Sequence, residues 1–337
     1  MDKYPKLCIE DYVDSLTKDE NVCVPPSKEN INICISGGGM ANMYVAGCAS
    51  FLTYMMVNKN VKIHDIYGTS AGAISGLLLL LTLYSVKNER YCGTEYEMNC
   101  SKFIYLVNNQ LREKYTNDPY VIDVWVEVLK DMLPPDFYTV CCRRLYITIH
   151  VIDGFSIRKK VISEYINNEH LLNTLRCSGT IPFITTKKFA SKYFDYLTQT
   201  EYWAFDGGIF PSVEDLSYPT IYFNTLYVNY SLLSRMRIED KCYEPLVLEG
   251  LYDIYHTYRK DVKTPKNANT QNIIYYYDPD SSVKRHKKYI VIRNMLLCGI
   301  TAATLYYNRK LSFDFLCAIF GTYWCGTQMR VLTLTDL

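Results

Sequence analysis

Apolar and polar residues along the first part of the chain follow a repeating order of strand, glycine loop and helix. Residues 31–35 form a short apolar strand pattern, three glycines follow at 37–39, and residues 41–57 are mostly apolar over a length typical of a helix. The order repeats with a strand pattern at 63–67, the sequence GTSAG at 68–72 and a further apolar run. Two consecutive strand–helix units predict parallel neighbouring strands in an α/β fold.

The rest of the chain has more mixed patterns. Residues 91–133 predict two helices that end before Pro134-Pro135, and residues 145–153 (LYITIHVID) predict a third strand. A helix is predicted over roughly residues 161–175, followed by a polar insertion at 184–201. Further strands are predicted at 202–205 and 219–230.

The composition excludes several classes of protein. Of the 337 residues, 49% are apolar, which is enough for a sizeable core. The 36 Lys and Arg residues nearly balance 35 Asp and Glu residues, so no nucleic-acid partner is expected. The cysteine count is odd, at 13, and predicts mostly reduced core thiols. The first 30 residues lack an apolar signal segment, so the expected location is the cytoplasm.

The sequence GTSAG has the G-x-S-x-G pattern of a nucleophile elbow. Gly68 and Gly72 permit a sharp turn between strand and helix, and that turn would present the Ser70 hydroxyl above the edge of the sheet. The helix N-terminus would also favour negative charge developing at this point. Ser70 is therefore a candidate nucleophile, and the alternative is a tight turn that only requires small residues.

The three-glycine loop has several interpretations. A dinucleotide fingerprint would need a glycine at position 42, where this chain has Asn42, and a phosphate loop would need a following Gly-Lys-Ser/Thr. An oxyanion hole built from exposed N–H groups of Gly37, Gly38 and Gly39 fits better. Loops that follow consecutive parallel strands share one edge of the sheet, so we expect this loop beside Ser70. A purely structural turn remains the alternative.

A serine nucleophile needs a base. None of the five histidines follows a late strand, where a Ser-His-Asp enzyme of the α/β-hydrolase type would carry its histidine. Asp206 follows a short strand pattern and precedes Gly207 and Gly208, which makes it the better candidate. The carboxylates elsewhere are scattered, so neither a metal site nor a cofactor is predicted.

Together, the glycine loop, GTSAG and the distant Asp-Gly-Gly make residues 31–215 resemble the patatin-like phospholipase family. The segments CSGTIPF and WAFDGG are similar to that family's sequence around its aspartate, and MYVAGCASFL and HDIYGTSAGA resemble its adiponutrin and triglyceride-lipase branch. The resemblance implies a three-layer α/β fold with a mainly parallel central sheet. It also implies a dyad of Ser70 and Asp206, with the oxyanion held by the glycine amides.

The function predicted from these residues is a serine lipid acyl hydrolase without a cofactor, acting on phospholipid or acylglycerol esters in a membrane or lipid droplet. Three alternatives stay open. One is a lipid-binding relative with weak or no activity, because Ala41 and Asn42 replace the basic residue and glycine common at these family positions. Another is a Ser-His-Asp esterase. The last is an acyltransferase, in which an alcohol replaces water.

Three regions are predicted: a polar N-terminal extension at 1–30, a patatin-like catalytic domain at 31–215 and a C-terminal extension at 216–337. The C-terminal extension carries apolar runs, of which residues 289–307 approach the length of a bilayer span but contain Arg293 and Asn294. Core helices are the favoured interpretation, and an amphipathic surface anchor and a true span are the alternatives. The C-terminal extension is therefore a candidate for peripheral membrane contact.

Overall fold

The computed structural model of the chain describes residues 30–58, 62–87, 111, 120–154, 156–208, 211–212, 218–225, 228, 243–257 and 274–277. The chain divides into two compact units, 1–281 and 282–337, and all described residues belong to the first. The apolar runs of the C-terminal extension lie outside the described residues. The three predicted regions therefore remain predictions.

Eight strands and six α-helices are described. The strands are β1 Asn30–Ile35, β2 Lys62–Thr69, β3 Leu145–Asp153, β4 Ser156–Ile162, β5 Ser191–Asp195, β6 Thr200–Phe205, β7 Thr220–Phe223 and β8 Ile274–Tyr277. The helices are α1 Met43–Asn58, α2 Ala71–Lys87, α3 Val121–Met132, α4 Tyr138–Cys141, α5 Asn168–Gly179 and α6 Glu244–Thr257, and a 3₁₀ turn spans Gly39–Asn42.

All the described strands belong to one sheet, in the order β5-β6-β3-β2-β1-β7-β8, with β4 paired to β3 outside this path. The central strands β3, β2, β1 and β7 are parallel, whereas β4, β5, β6 and β8 join in antiparallel pairs. The α/β class with a mainly parallel central sheet is confirmed. The parallel register aligns Ile35 with Gly68 and Phe223, so the segments after β1, β2 and β7 meet at one edge.

The central strands are covered on both faces, as a three-layer fold requires. Consecutive residues of β1 point to opposite faces, yet Asn32, Ile33 and Cys34 are all buried. Helix α2 packs against β2 and β3, and α5 packs against β3, β5 and β6. The leucine run of α2 is buried all around, which is typical of a core helix. Among the described helices, none combines the length and apolar character needed to cross a bilayer.

Two predicted elements were wrong. The helix predicted over 161–175 is instead the end of β4 followed by α5, because residues 156–162 pair antiparallel with β3 in a hairpin. The Asn167 side chain accepts a hydrogen bond of 2.7 Å from the His170 N–H and so caps the true helix start. The polar insertion at 184–201 contains β5, whose pairing with β6 could not be seen in the sequence pattern.

Candidate active site

Ser70 occupies a sharp turn between β2 and α2. Its φ angle is +53°, in the left-handed region that side chains rarely adopt, and the side chain remains partly exposed. A Cβ atom added to Gly72 would lie 2.5 Å from the Ser36 carbonyl oxygen, and one added to Gly68 would lie 2.6 Å from Ala73 Cα. Both flanking positions therefore accept only glycine, and the turn has the geometry of a nucleophile elbow.

The elbow is attached to helix α5 by a serine that the sequence analysis did not single out. The N–H of Ser70 donates a hydrogen bond of 2.8 Å to Ser178 Oγ. The Ser178 hydroxyl in turn donates a bond of 2.7 Å to the carbonyl oxygen of Thr148 on β3. Ser178 lies in the small-residue segment CSGTIPF, which was the only signal for it in the sequence.

Asp206 is held by main-chain bonds immediately after β6. Its N–H donates to the Thr180 carbonyl at 2.8 Å, and the Gly207 N–H donates to the Ser178 carbonyl at 3.1 Å. Asp206 Oδ1 accepts a bond of 2.7 Å from the N–H of Gly208. Ser178 therefore contacts the segments of both Ser70 and Asp206.

Gly207 is tightly enclosed. A Cβ atom at this position would overlap the Thr148 carbonyl oxygen and the Thr69 hydroxyl. Thr69 also donates a bond of 3.1 Å to the Gly208 carbonyl, and Gly208 has a φ angle of +86°. The end of β2, the middle of β3 and the Asp-Gly-Gly segment therefore pack together without room for larger side chains.

The carboxyl of Asp206 is in an environment suited to proton transfer. Burial raises its pKa to about 7, while hydrogen bonds from the Ser70 side chain and the Gly208 N–H act in the opposite direction. Asp206 Oδ2 is buried and accepts no well-formed hydrogen bond among the described residues. The Ser70 hydroxyl is thus close enough to affect the pKa of the carboxyl without a fully aligned bond, as is common in unliganded sites.

The glycine turn lies directly beside the elbow. A Cβ atom added to Gly37 would lie 3.0 Å from Ser70 Cβ and 3.0 Å from the Gly208 carbonyl oxygen. Gly39 has a φ angle of +56° and begins the 3₁₀ turn. Gly38 packs against the side chain of Thr225, which lies two residues after the end of β7. The three segments with candidate roles thus converge at one sheet edge.

Asn42 has a structural function at the position where the family commonly has glycine. It is buried, and its amide donates to the Ser36 carbonyl and to Thr225 Oγ1, each at 3.4 Å. Its Oδ1 accepts a bond of 3.3 Å from the Ser75 hydroxyl. Asn42 therefore connects the glycine turn to β7 and to α2. Ala41 is fully buried, in a position with no access to solvent for a cationic side chain.

A narrow pocket opens beside the elbow, between the 3₁₀ turn and α2. Gly39 of the predicted oxyanion loop and Ala71, the neighbour of Ser70, form part of its wall. The remaining lining residues are mostly apolar: Met40, Asn42, Met43, Ile74, Ser75, Leu78 and Trp125.

Among the histidine side chains that the structure describes, His150 contacts the candidate site, through the main chain of Asp206. His150 Nδ1 lies 2.6 Å from the Asp206 carbonyl oxygen, so it carries the proton and donates, and burial lowers the pKa of His150. His64 lies near the start of β2, at the opposite end of that strand from Ser70, and His170 lies near the start of α5. Within the described ranges, no three metal-binding side chains cluster.

Comparison with known sequences identifies the family of the chain. The patatin-like phospholipase family profile matches residues 33–214, which is more than half of the chain. The chain belongs to the patatin-like phospholipase family. Members of this family are lipid acyl hydrolases and acyltransferases.

Two curated relatives of this patatin-like chain are transacylases. The omega-hydroxyceramide transacylase of Mus musculus is 28% identical over 176 residues, which cover 49% of this chain and 26% of the relative. The human omega-hydroxyceramide transacylase is 26% identical over 159 residues, covering 45% of this chain and 26% of the relative. The matched part thus spans about a quarter of the length of these relatives.

Proposed function

We propose that this patatin-like chain is a serine lipid acyl hydrolase in which Ser70 is the nucleophile and Asp206 is the base. The observation that carries the proposal is the buried carboxyl of Asp206, with a pKa of about 7, next to a serine in a strained elbow. A base works best when its pKa lies near the working pH, because it is then both ionised and basic enough to accept a proton. Burial of Asp206 supplies this condition.

In the first step, Ser70 Oγ attacks the carbonyl carbon of the fatty-acyl ester while Asp206 accepts the hydroxyl proton. The carbonyl oxygen becomes an oxyanion, and the N–H groups of Gly37, Gly38 and Gly39 are the proposed donors to it. The C–O bond to the alcohol then breaks, and Asp206 returns the proton to the departing alkoxide. The product is an acyl-enzyme ester on Ser70.

In the second step, water attacks the acyl-enzyme carbonyl and gives its proton to Asp206. The fatty acid leaves, and the proton returns to Ser70. Hydrolysis needs no metal or organic cofactor in this scheme.

Acyl transfer to an alcohol is the second candidate function. The transacylase names of the two curated relatives favour it. The same acyl-enzyme forms in both reactions, and only the second nucleophile differs. An alcohol in place of water would yield a new ester, and Asp206 would accept the alcohol's proton.

The decisive experiment is labelling with a fluorophosphonate, which reacts only with an activated serine. We expect the wild-type chain to be labelled and the Ser70→Ala and Asp206→Asn variants to lose labelling. Asp136→Asn is a matched control because Asp136 is exposed and lies far along the chain from both candidates. Lipid esters offered with and without a long-chain alcohol would then separate hydrolysis from transfer by their products.

If folded wild-type protein is not labelled, the dyad is refuted and the lipid-binding alternative applies. Labelling that survives Asp206→Asn but is lost on substitution of a histidine would instead identify the Ser-His-Asp alternative.

A further inference from the structure

The loop from residue 181 to 189, called here the 181–189 loop, carries two large apolar side chains in water. Phe183 is 48% exposed and Phe189 is 45% exposed, and their ring centroids are 6.2 Å apart. Lys187 and Lys188 between them are also exposed, and the loop contains no acidic residue. A pair of exposed aromatic rings with two cations is unlike the isolated apolar side chains that are common on protein surfaces.

Hydrogen bonds brace the loop so that its two threonines point inward. Thr185 Oγ1 donates to the Gly179 carbonyl at 2.6 Å and accepts from the Ile181 N–H at 2.8 Å. Thr186 Oγ1 donates to Asp123 Oδ2 at 2.9 Å. Both threonines are buried although they are the small polar members of the segment.

Further contacts fix the loop in the conformation that leaves both rings partly exposed. The Thr185 carbonyl accepts a bond of 3.1 Å from the N–H of Ile122, which attaches the loop to the first turn of α3. Phe183 has a φ angle of +58°, an unusual value for a bulky residue. Lys187 Nζ lies 5.1 Å from the ring centroid of Tyr120 and remains exposed. The loop thus presents a prearranged surface.

The loop lies next to the candidate active site. It begins after Thr180, whose carbonyl accepts the bond from the Asp206 N–H, and Thr180 Oγ1 lies 2.8 Å from Ser191 Oγ at the start of β5. Helix α3, to which the loop is bonded, carries Trp125 in the wall of the apolar pocket. The loop that carries the exposed rings therefore adjoins both the residue bonded to the Asp206 main chain and the helix that lines the pocket.

We propose that the 181–189 loop docks the active-site edge on an anionic phospholipid surface, with Phe183 and Phe189 entering the interface and Lys187 and Lys188 contacting lipid phosphates. This inference builds on the proposed function, because it states where the dyad meets its lipid. Aromatic rings bind at the water–lipid boundary, and each lysine near an anionic surface adds attraction. Charge decides between this partner and a second copy of the chain, since self-association through the loop would bring four lysines together.

The test uses the full chain with Ser70→Ala, so that no lipid is consumed, and co-sedimentation with vesicles. One vesicle is phosphatidylcholine alone and the other also contains phosphatidylserine. We expect binding to the anionic vesicle. Lys187→Gln with Lys188→Gln should weaken that binding about tenfold or more and leave binding to phosphatidylcholine unchanged. Phe183→Asn with Phe189→Ser should weaken binding to both vesicles about tenfold.

Asn tolerates the left-handed backbone of position 183 better than Phe, so the variant with Phe183→Asn and Phe189→Ser should fold. Leu197→Ser and Lys192→Gln are the matched controls: both side chains are exposed, with Leu197 83% exposed at the other end of β5. Loop variants that bind like these controls would overturn the proposal. A concentration-dependent dimer that the loop variants abolish, without lipid binding, would replace it with self-association.

Loop variants with Ser70 intact should hydrolyse a short water-soluble nitrophenyl ester at the wild-type rate, since the ester does not need an interface. A chain that is labelled by fluorophosphonate but binds vesicles independently of the loop would refute docking and keep the proposed function. A chain that docks through the loop but is never labelled would refute the proposed function and keep docking.

Discussion

The parallel and antiparallel parts of the sheet position the two proposed dyad members in different ways. Ser70 follows β2 in the parallel part, and its geometry depends on the glycines two residues before and after it. Asp206 follows β6 in the antiparallel part; its segment is held by Ser178 and Thr180 at the end of α5 and packs against Thr148 of β3. The elbow therefore combines a local turn with contacts to Ser36 and Ser178, whereas the position of the carboxyl depends mainly on long-range contacts.

This difference predicts that substitutions next to Asp206, in the antiparallel part, reduce activity more than substitutions that remove hydrogen bonds to the glycine turn, in the parallel part. The nucleophile should keep its turn when a neighbour is lost, because its own glycines determine the turn. The carboxyl should move when its supports are lost, because no residue adjacent in sequence holds its side chain except Gly208.

The largest expected effect is that of Gly207→Ala. The added methyl group would overlap the Thr148 carbonyl and the Thr69 hydroxyl, so the Asp206 segment must move away from Ser70. We expect fluorophosphonate labelling to slow about a hundredfold or more, since a shift of about 1 Å in a catalytic group has that effect. The measurement is the labelling rate at pH 8.

Gly154→Ala is the control, because a Cβ atom there has no neighbour within 4 Å. Its φ angle of +61° makes the change destabilising by about 1 kcal/mol, but this strain lies in the turn after β3 and does not displace the Asp206 segment. It should label at nearly the wild-type rate. Equal labelling of the two alanine variants would remove the claimed dependence on the antiparallel part.

The second effect is on pH dependence. Only the ionised carboxyl accepts a proton, and burial raises the pKa of Asp206 to about 7. The rate of ester hydrolysis should therefore rise about tenfold per pH unit below about pH 7 and become constant above it. A pH–rate profile with the short nitrophenyl ester measures this directly. A profile that is already flat at pH 5 would mean that Asp206 is not the base, or that its carboxyl is not buried in solution.

The third effect concerns His150, which donates from Nδ1 to the Asp206 carbonyl. Removing this bond in His150→Ala should lower kcat about tenfold and leave KM nearly unchanged, because the Asp206 main chain loses one support. His150→Asn should recover most of the loss, since the Asn amide nitrogen can occupy the place of Nδ1, and His150→Gln should not. Equal losses in the Asn and Gln variants would indicate a packing effect alone. The control is His64→Asn, which lies away from the candidate site and should keep the wild-type kcat.

The smallest expected effect is that of Asn42→Gly in the parallel part. This change restores the residue common in the family and removes the side-chain bonds to Ser36, Thr225 and Ser75. We expect the free energy of unfolding to fall by about 1 kcal/mol, because the bonds are long, while labelling persists. Chemical denaturation measures the first quantity. A loss of labelling as large as in Gly207→Ala would show that the two parts of the sheet do not differ.

The errors of sequence interpretation have the same physical origin as this comparison. Residues 30–58 and 62–87 were interpreted correctly because each strand and helix there has its own apolar pattern and the loops after β1 and β2 have their own glycines. The segments 156–162 and 191–195 were missed as strands because they are rich in exposed or polar residues and pair at or near a sheet edge. Their strand structure depends on pairing partners elsewhere in the chain.

The sequence by itself determined where the elbow around Ser70, the glycine turn and the candidate Asp206 lie, because the glycines that such turns require can be recognised in short stretches of the chain. Only the tertiary structure decided the buried environment of the Asp206 carboxyl, the bracing by Ser178 and Asn42, and the outward position of Phe183 and Phe189. Burial and hydrogen bonding of this kind arise where segments far apart in the chain pack together. A pKa near 7 for Asp206 is therefore a property of the assembled fold, and no single stretch of sequence contains it.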